Sequence, residues 1–191
     1  MALCVEKILD LYRQKGEQLY GRDQVRVNHL HHALQCAQLA ERFGAGAAMI
    51  AAALLHDVGH LWSAADEALS GESVHIGHAT RGARWLSRWF APAVTEPIRL
   101  HVAAKRYLCA CDTHYFEALS PGSLITLKLQ GGLFSPSEAK AFIAEPFARA
   151  AILLRRWDDM SKDPEARPPD LEYFRRYAEE TLSPQESEAA A

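Results

Sequence analysis

Ala53-Leu54-Leu55-His56-Asp57-Val58-Gly59-His60 closes the longest apolar run of the chain, residues 45–55, with a histidine–aspartate doublet. Such a doublet makes little sense as packing, because an ionised carboxylate is costly to bury unless a cation or a charged partner compensates it. Working outward, further histidines stand at His32, His78 and His101, so the separations along the chain are 24, 22 and 23 residues. Asp158, just beyond a second apolar run Ile152-Leu153-Leu154, completes a set of four His and two Asp. That is too many ligands for one structural zinc, which takes four, and it suits two octahedral ions sharing a bridge. Imidazole with carboxylate suits iron, manganese or zinc, and thiolate is absent from the set. Asp57, beside the ligand His56, is the natural bridge, since each of its oxygens can serve a different ion.

Helical periodicity dominates the remainder, with no convincing alternation of the strand type. Helices are expected over residues 3–18, from an Asn28 N-cap to residue 43, over 47–55 and over 75–90. Another follows Pro92 and Pro97 and carries His101 and Lys105. The rest fall at 123–129, after Ser135-Pro136-Ser137-Glu138, at 146–157 and at 170–182. The serine–glutamate spacing at 135–138 is that of a capping box with proline in the first turn. The fold class is therefore all-α, a helical bundle whose core holds a dimetal cage built from several helices. Residues 183–191 are expected to fray.

With 191 residues, 49% of them apolar and 24% charged, the chain reads as one domain of ordinary globular composition. A net charge of −3 gives no electrostatic reason to expect nucleic acid. The longest apolar run falls short of the roughly 20 residues that span a bilayer, and the N-terminus lacks the pattern of a signal peptide. Cys4, Cys36, Cys109 and Cys111 have no framework spacing, and Cys109-Ala110-Cys111 is read as incidental. Cytoplasm is the expected compartment.

Any single histidine is explained by a hydrogen bond in the core. Applied jointly to His32, His56, Asp57, His78, His101 and Asp158, that explanation leaves too much buried charge unpartnered. His29, His31, His75 and His114 are set aside as incidental; His31 points about 100° around the helix from His32. Lys105 lies four residues after His101, on the same helical face. Ser123, Thr126 and Gln130 form a polar stripe at spacings of three and four, and Arg155 lies three residues before Asp158. Cations and hydroxyls beside a dimetal centre suit a phosphoryl or phosphonyl group. On the residues alone, a solvated surface explains Lys105 and Arg155 as well.

The spaced His, His-Asp, His, His, Asp pattern resembles the HD-domain superfamily, helical metalloproteins that include phosphohydrolases and a smaller group of diiron oxygenases. More specifically, His31-His32-Ala33-Leu34-Gln35-Cys36-Ala37, the stretch ending in His56-Asp57-Val58-Gly59-His60, and His101-Val102-Ala103-Ala104-Lys105-Arg106-Tyr107-Leu108 are similar to the PhnZ-type organophosphonate oxygenases. So are Thr126-Leu127-Lys128-Leu129-Gln130-Gly131-Gly132 and Arg155-Arg156-Trp157-Asp158. The resemblance implies a single HD domain over residues 1–182. It also implies six iron ligands at His32, His56, Asp57, His78, His101 and Asp158, with Asp57 bridging a mixed-valent Fe(II)/Fe(III) pair. Mononuclear HD phosphohydrolases typically keep only the first, second and last of these positions. Phosphonate contacts are implied at His60, Lys105, Ser123, Thr126, Gln130 and Arg155, with O2 as cosubstrate.

The family's Tyr-x-x-Glu, whose Tyr occupies the second iron until substrate arrives and whose Glu senses a substrate amine, corresponds to Tyr20-Gly21-Arg22-Asp23, with Asp in place of Glu. Asp57, Tyr20 and His60 are thereby expected at the reacting centre, and Asp23 against the substrate. The implied reaction is O2-dependent cleavage of the carbon–phosphorus bond of a 1-hydroxyphosphonate, foremost 2-amino-1-hydroxyethylphosphonate, giving glycine and phosphate. A metal-dependent phosphohydrolase and a non-catalytic phosphonate or metal sensor are the alternatives. The expected partner is a small organophosphonate, with neither nucleic acid nor membrane, in a monomer or small homo-oligomer.

Overall fold

Helix α3 (Ala47–Leu55) is apolar on every face, and its residues from Ile50 to Leu55 are all buried. A helix without a polar stripe can only be a core helix. In this computed structural model, which describes residues 2–20, 27–61 and 74–183, α2 (His29–Arg42), α5 (Pro92–Cys111) and α10 (Leu171–Glu180) pack against it. Helix α1 (Ala2–Lys15) lays Val5, Ile8, Leu9 and Tyr12 into the same core. The Tyr12 hydroxyl donates to the Leu54 carbonyl at 2.7 Å, one of the last carbonyls of α3 that has no partner within its own helix.

Around this core the described residues are helical, with no strand and only two isolated bridges, Leu19 with Asn28 and Phe90 with Leu182. The two caps expected from the sequence, Asn28 and the Ser135–Glu138 box, are formed. Asn28 accepts from the His31 amide at 2.7 Å to open α2. Ser135 and Glu138 make both halves of the capping box that opens α8 (Pro136–Ala144). Asp170 caps α10. Helix α4 (Val74–Leu86) and helix α9 (Ala148–Met160) both pack on α5.

Several expectations need correcting: α1 ends at Lys15 and α4 at Leu86, short of the expected 18 and 90. Helix α5 starts at Pro92 and runs through Pro97 instead of following it. Pro97 lies in the second turn, so its missing N–H forgoes only the bond to the Ala93 carbonyl, and its ring is buried. A five-residue helix, α6 (Thr113–Glu117), was not expected; it is too short to show a period and is fixed by Asp112 accepting from the Tyr115 amide at 3.0 Å. Helix α7 (Pro121–Leu129) begins two residues before the expected start, capped by Ser120.

One glycine positions the site. Gly59 sits in the 3-10 turn Val58–His60 that follows the doublet, and a Cβ there would lie 2.1 Å from the His78 carbonyl oxygen. Only glycine lets this turn touch α4 so closely. Asp23, the loop at 63–71 and the tail beyond Ser183 lie outside the described residues. No described helix is long and apolar enough to cross a membrane.

Candidate metal centre

His32 comes from α2, His56 from the end of α3, Asp57 from the residue after it, His78 from α4, His101 from α5 and Asp158 from α9. All six are buried, and they converge. His32 Nε2 lies 3.2 Å from His56 Nε2 and 3.3 Å from Asp158 Oδ1. His78 Nε2 lies 3.2 Å from His101 Nε2. Asp57 stands between the two groups. Its Oδ2 is 3.4 Å from His56 Nε2 and 3.9 Å from His32 Nε2. Its Oδ1 is 3.4 Å from His78 Nε2 and 3.6 Å from His101 Nε2. Among the described residues, His32, His56 and Asp57 form one group able to hold a metal ion, and Asp57, His78 and His101 a second, each with its donor atoms within 4.8 Å of one another.

The donor chemistry fits cations. The Nδ1 atoms of His32, His56 and His101 face the carbonyls of Ser161 (2.8 Å), Ala53 (2.9 Å) and Ile98 (2.7 Å). A carbonyl only accepts, so these Nδ1 atoms carry the protons and each Nε2 presents a lone pair. In the neutral rings the lone pairs of His32 and His56 would face each other across 3.2 Å, so a positive charge belongs between them: burial opposes it, yet the Asp57 carboxylate raises His56 well above the ordinary imidazole range, and a metal ion would take the place of that proton. Asp57 Oδ1 is buried and has no hydrogen-bond donor. Burial opposes ionisation of Asp57, yet the imidazoles of His56 and His60 outweigh it and hold the carboxyl well below the usual carboxylate range. Burial, then the charge of His78, push His101 down to about 3, so it is a neutral donor at pH 7.

The centre forms the floor of a cavity of ≈ 360 Å³. One wall carries Lys105, Ser123, Thr126, Gln130 and Arg155, the residues expected to meet a phosphonate, together with Lys162. Lys105 Nζ donates to Thr126 Oγ1 at 2.8 Å. Burial, reinforced by the neighbouring Arg155 charge, lowers this amine to about 7. Arg155 is tied inward: its guanidinium meets Asp158 Oδ2 at 2.8 Å, donates through Nε to Asp159 Oδ2 at 2.9 Å and to the Tyr115 hydroxyl at 3.2 Å, and bonds Asp159 Oδ1 through Nη2. The opposite wall is formed by Leu19, Tyr20, His29 and His60. Tyr20 stacks on His32 with ring centroids 3.8 Å apart and donates to Asp158 Oδ1 at 3.2 Å. His60 stacks on His78 at 3.9 Å, and its Nε2 lies 3.9 Å from Asp57 Oδ1.

The sequence reading set His29 aside and passed over Lys162, yet both line the cavity. His29 had a signal, standing three residues before His32, one turn back on the same face; Lys162, beyond the end of α9, had none. His31 instead bonds the Ala166 carbonyl at 3.1 Å, and His114 is exposed. None of the four cysteines is in a disulfide.

The HD domain family matches residues 30–163, and the chain belongs to that family. It is 42% identical over 179 residues to hydroxymethylphosphonate dioxygenase of Gimesia maris, covering 93% of this chain and 88% of that protein. It is 35% identical over 170 residues to [1-hydroxy-2-(trimethylamino)ethyl]phosphonate dioxygenase (glycine-betaine-forming) of Leisingera caerulea, covering 89% and 86% respectively. An uncharacterised protein of Acanthamoeba polyphaga mimivirus is 34% identical over 182 residues.

Proposed function

We propose that the protein is an iron-dependent oxygenase that uses O2 to cleave the carbon–phosphorus bond of a 1-hydroxyphosphonate, releasing phosphate and a carboxylic acid. The observation that carries this reading is the position of Asp57, shared between two imidazole pairs, beneath a wall of cations and hydroxyls. The named dioxygenase relatives support it. A mononuclear hydrolase has no evident need of His78 and His101, whereas a dinuclear centre does.

His32, His56 and Asp158 with Asp57 Oδ2 would hold one iron, and His78 and His101 with Asp57 Oδ1 the other. A ferrous–ferric pair would supply O2 activation. The chain's own residues would bind and orient. Lys105, Ser123, Thr126 and Gln130 would hold the phosphonate oxygens and offset their charge as phosphate departs. His60 would reach the same oxygens while its stack keeps the His78 ring in place. Tyr20 would cover the centre until substrate displaces it. The balance closes without an external reductant: hydroxymethylphosphonate and O2 give formate and phosphate, four electrons passing from substrate to oxygen.

The side group beyond the reacting carbon turns on charge. Among the described residues of the cavity, Asp57 and Asp158 are committed to the metals, and no other carboxylate lines it. That wall suits hydroxymethylphosphonate better than an amine-bearing substrate. The 2-amino-1-hydroxyethylphosphonate first expected would depend on Asp23 turning inward.

The test measures O2 consumption and phosphate release together on iron-loaded protein, with hydroxymethylphosphonate, 2-amino-1-hydroxyethylphosphonate and a phosphomonoester compared. Stoichiometric O2 uptake with either phosphonate is expected. Phosphate release from the ester without O2, and none from the phosphonates, would overturn the oxygenase reading in favour of a hydrolase. Asp23→Ala should leave hydroxymethylphosphonate turnover unchanged; a selective loss of the amine-bearing substrate would assign Asp23 to its ammonium.

A further inference from the structure

We infer that Lys162 is a second phosphonate-binding cation, paired with Lys105 across the hydroxyls of α7. The inference rests on the proposed phosphonate reading of the cavity and adds a residue to it. Lys162 follows the end of α9 and lines the cavity. It stands four residues after Asp158, as Lys105 does after His101, but on the segment beyond the helix end, so its place in the cavity is set by that segment and not by a helical face.

The contacts bracket one site. Lys105 donates to Thr126 Oγ1 at 2.8 Å, and Lys162 donates to Ser123 Oγ at 3.3 Å. Ser123 and Thr126 are three residues apart on α7, hence neighbours on one face; Thr126 Oγ1 itself donates to the Ser123 carbonyl at 3.0 Å. Two ammonium groups therefore flank two adjacent hydroxyls, an arrangement suited to a tetrahedral oxyanion. The Arg155 guanidinium is committed to its bonds with Asp158 and Asp159 and is not free to turn to a ligand. A phosphonate dianion is best held by charge-assisted bonds from more than one cation, and Lys105, lowered to about 7, supplies at most one. Lys162 is the remaining cation of the described wall. It is held loosely, 3.8 Å from Asp159 Oδ1 and with a side chain 18% exposed, so its three donors can turn to a ligand without breaking a tight ion pair.

The test uses inorganic phosphate as the probe, titrated calorimetrically into iron-loaded protein under anaerobic conditions, alongside aerobic turnover of hydroxymethylphosphonate. K162M should weaken phosphate binding about tenfold or more, the loss of a charge-assisted contact. KM for the phosphonate should rise in parallel while kcat stays within about threefold, since the contact is made before and during reaction alike. Iron content should not change, and K162R should restore most of the affinity. K162Q, which keeps a donor toward Ser123 without the charge, is the second variant and should behave as K162M. Phosphate affinity within twofold of the unmodified protein in K162M and K162Q would overturn the assignment, even if turnover proceeds. Phosphate binding that depends on Lys162 in a protein without phosphonate turnover would instead overturn the oxygenase reading and leave this site standing.

Discussion

Each oxygen of Asp57 faces a different pair of imidazoles, so the two proposed ion positions would not lose their ligands together. His78→Ala or His101→Ala removes a donor only from the Oδ1 side. Metal analysis of these variants should find iron falling from about two per chain toward one, whereas Asp57→Ala should weaken both positions, because a bridging ligand is common to them. Two firmly held irons in His78→Ala would sink the shared-carboxylate arrangement. Lys105 carries a pH signature at the same scale. Burial and the Arg155 charge lower it from 10.5 to about 7, so it is charged below that pH and neutral above it. Arg155, Asp158, Asp159 and Cys109 act on it electrostatically, and His60, His78, His101 and Lys162 line the same cavity. Inhibition by methanesulfonate, an anion whose own charge is fixed across the neutral range, should weaken as pH rises through about 7. Lys105→Arg should flatten that dependence, since a guanidinium stays charged. A flat profile in the unmodified protein would transfer the role to another cation. By linkage, the unfolded chain binds the Lys105 proton over the window from about 7 to 10.5 where the folded chain does not, so this group favours folding increasingly as pH rises through that window.

At the scale of elements, the 3-10 turn after the doublet does the positioning. Gly59→Ala would drive a methyl into the His78 carbonyl, a backbone atom that yields only if α4 moves. The variant should lose stability, about 1–3 kcal/mol by the usual measure of overpacking, and lose iron from the His78–His101 side although every ligand remains. Thermal melts and metal content would check this; normal values of both would mean that the contact relaxes freely. The doublet, the ligand spacings, the all-helical class and two of the caps, Asn28 and Ser135, were legible in the sequence because they are local patterns. The Arg106 and Gly131-Gly132 motifs were visible but had no physical account. The fold supplies one: the Arg106 guanidinium donates to the carbonyls of Gly132 (2.8 Å) and Gly131 (3.1 Å) and lies 4.3 Å from the Phe134 ring centroid. Both glycines have positive φ, 99° and 72°, so this clamp fixes the turn that follows Gln130. The opposite wall was less legible. The neighbours of His29 in that wall, Tyr20 and His60, approach from separate segments, and such meetings leave no period in a sequence. The inward tie of Arg155 is equally non-local, for Tyr115 belongs to the unexpected α6.

Across the whole molecule, the six donors come from five stretches of chain between residues 32 and 158. Bound metal would therefore stabilise only the assembled fold, by about 2.7 kcal/mol for each ion at a hundred times its dissociation constant. Stripping the protein with a chelator should lower Tm by about 5 °C or more for a chain of this length, and adding back iron should restore it. An unchanged melt would mean that the cage stands without metal, a proton shared between His32 and His56 sufficing. The scatter of ligands also bears on how the protein is made. A growing chain cannot close the first position until α9 has been synthesised and docked, because Asp158 is its last donor. Before then the histidines are loose imidazoles, which by intrinsic affinity favour copper or zinc over iron. On the proposed reading, metal identity would then be decided after folding, by the spacing of the finished cage and by which ion is supplied to it.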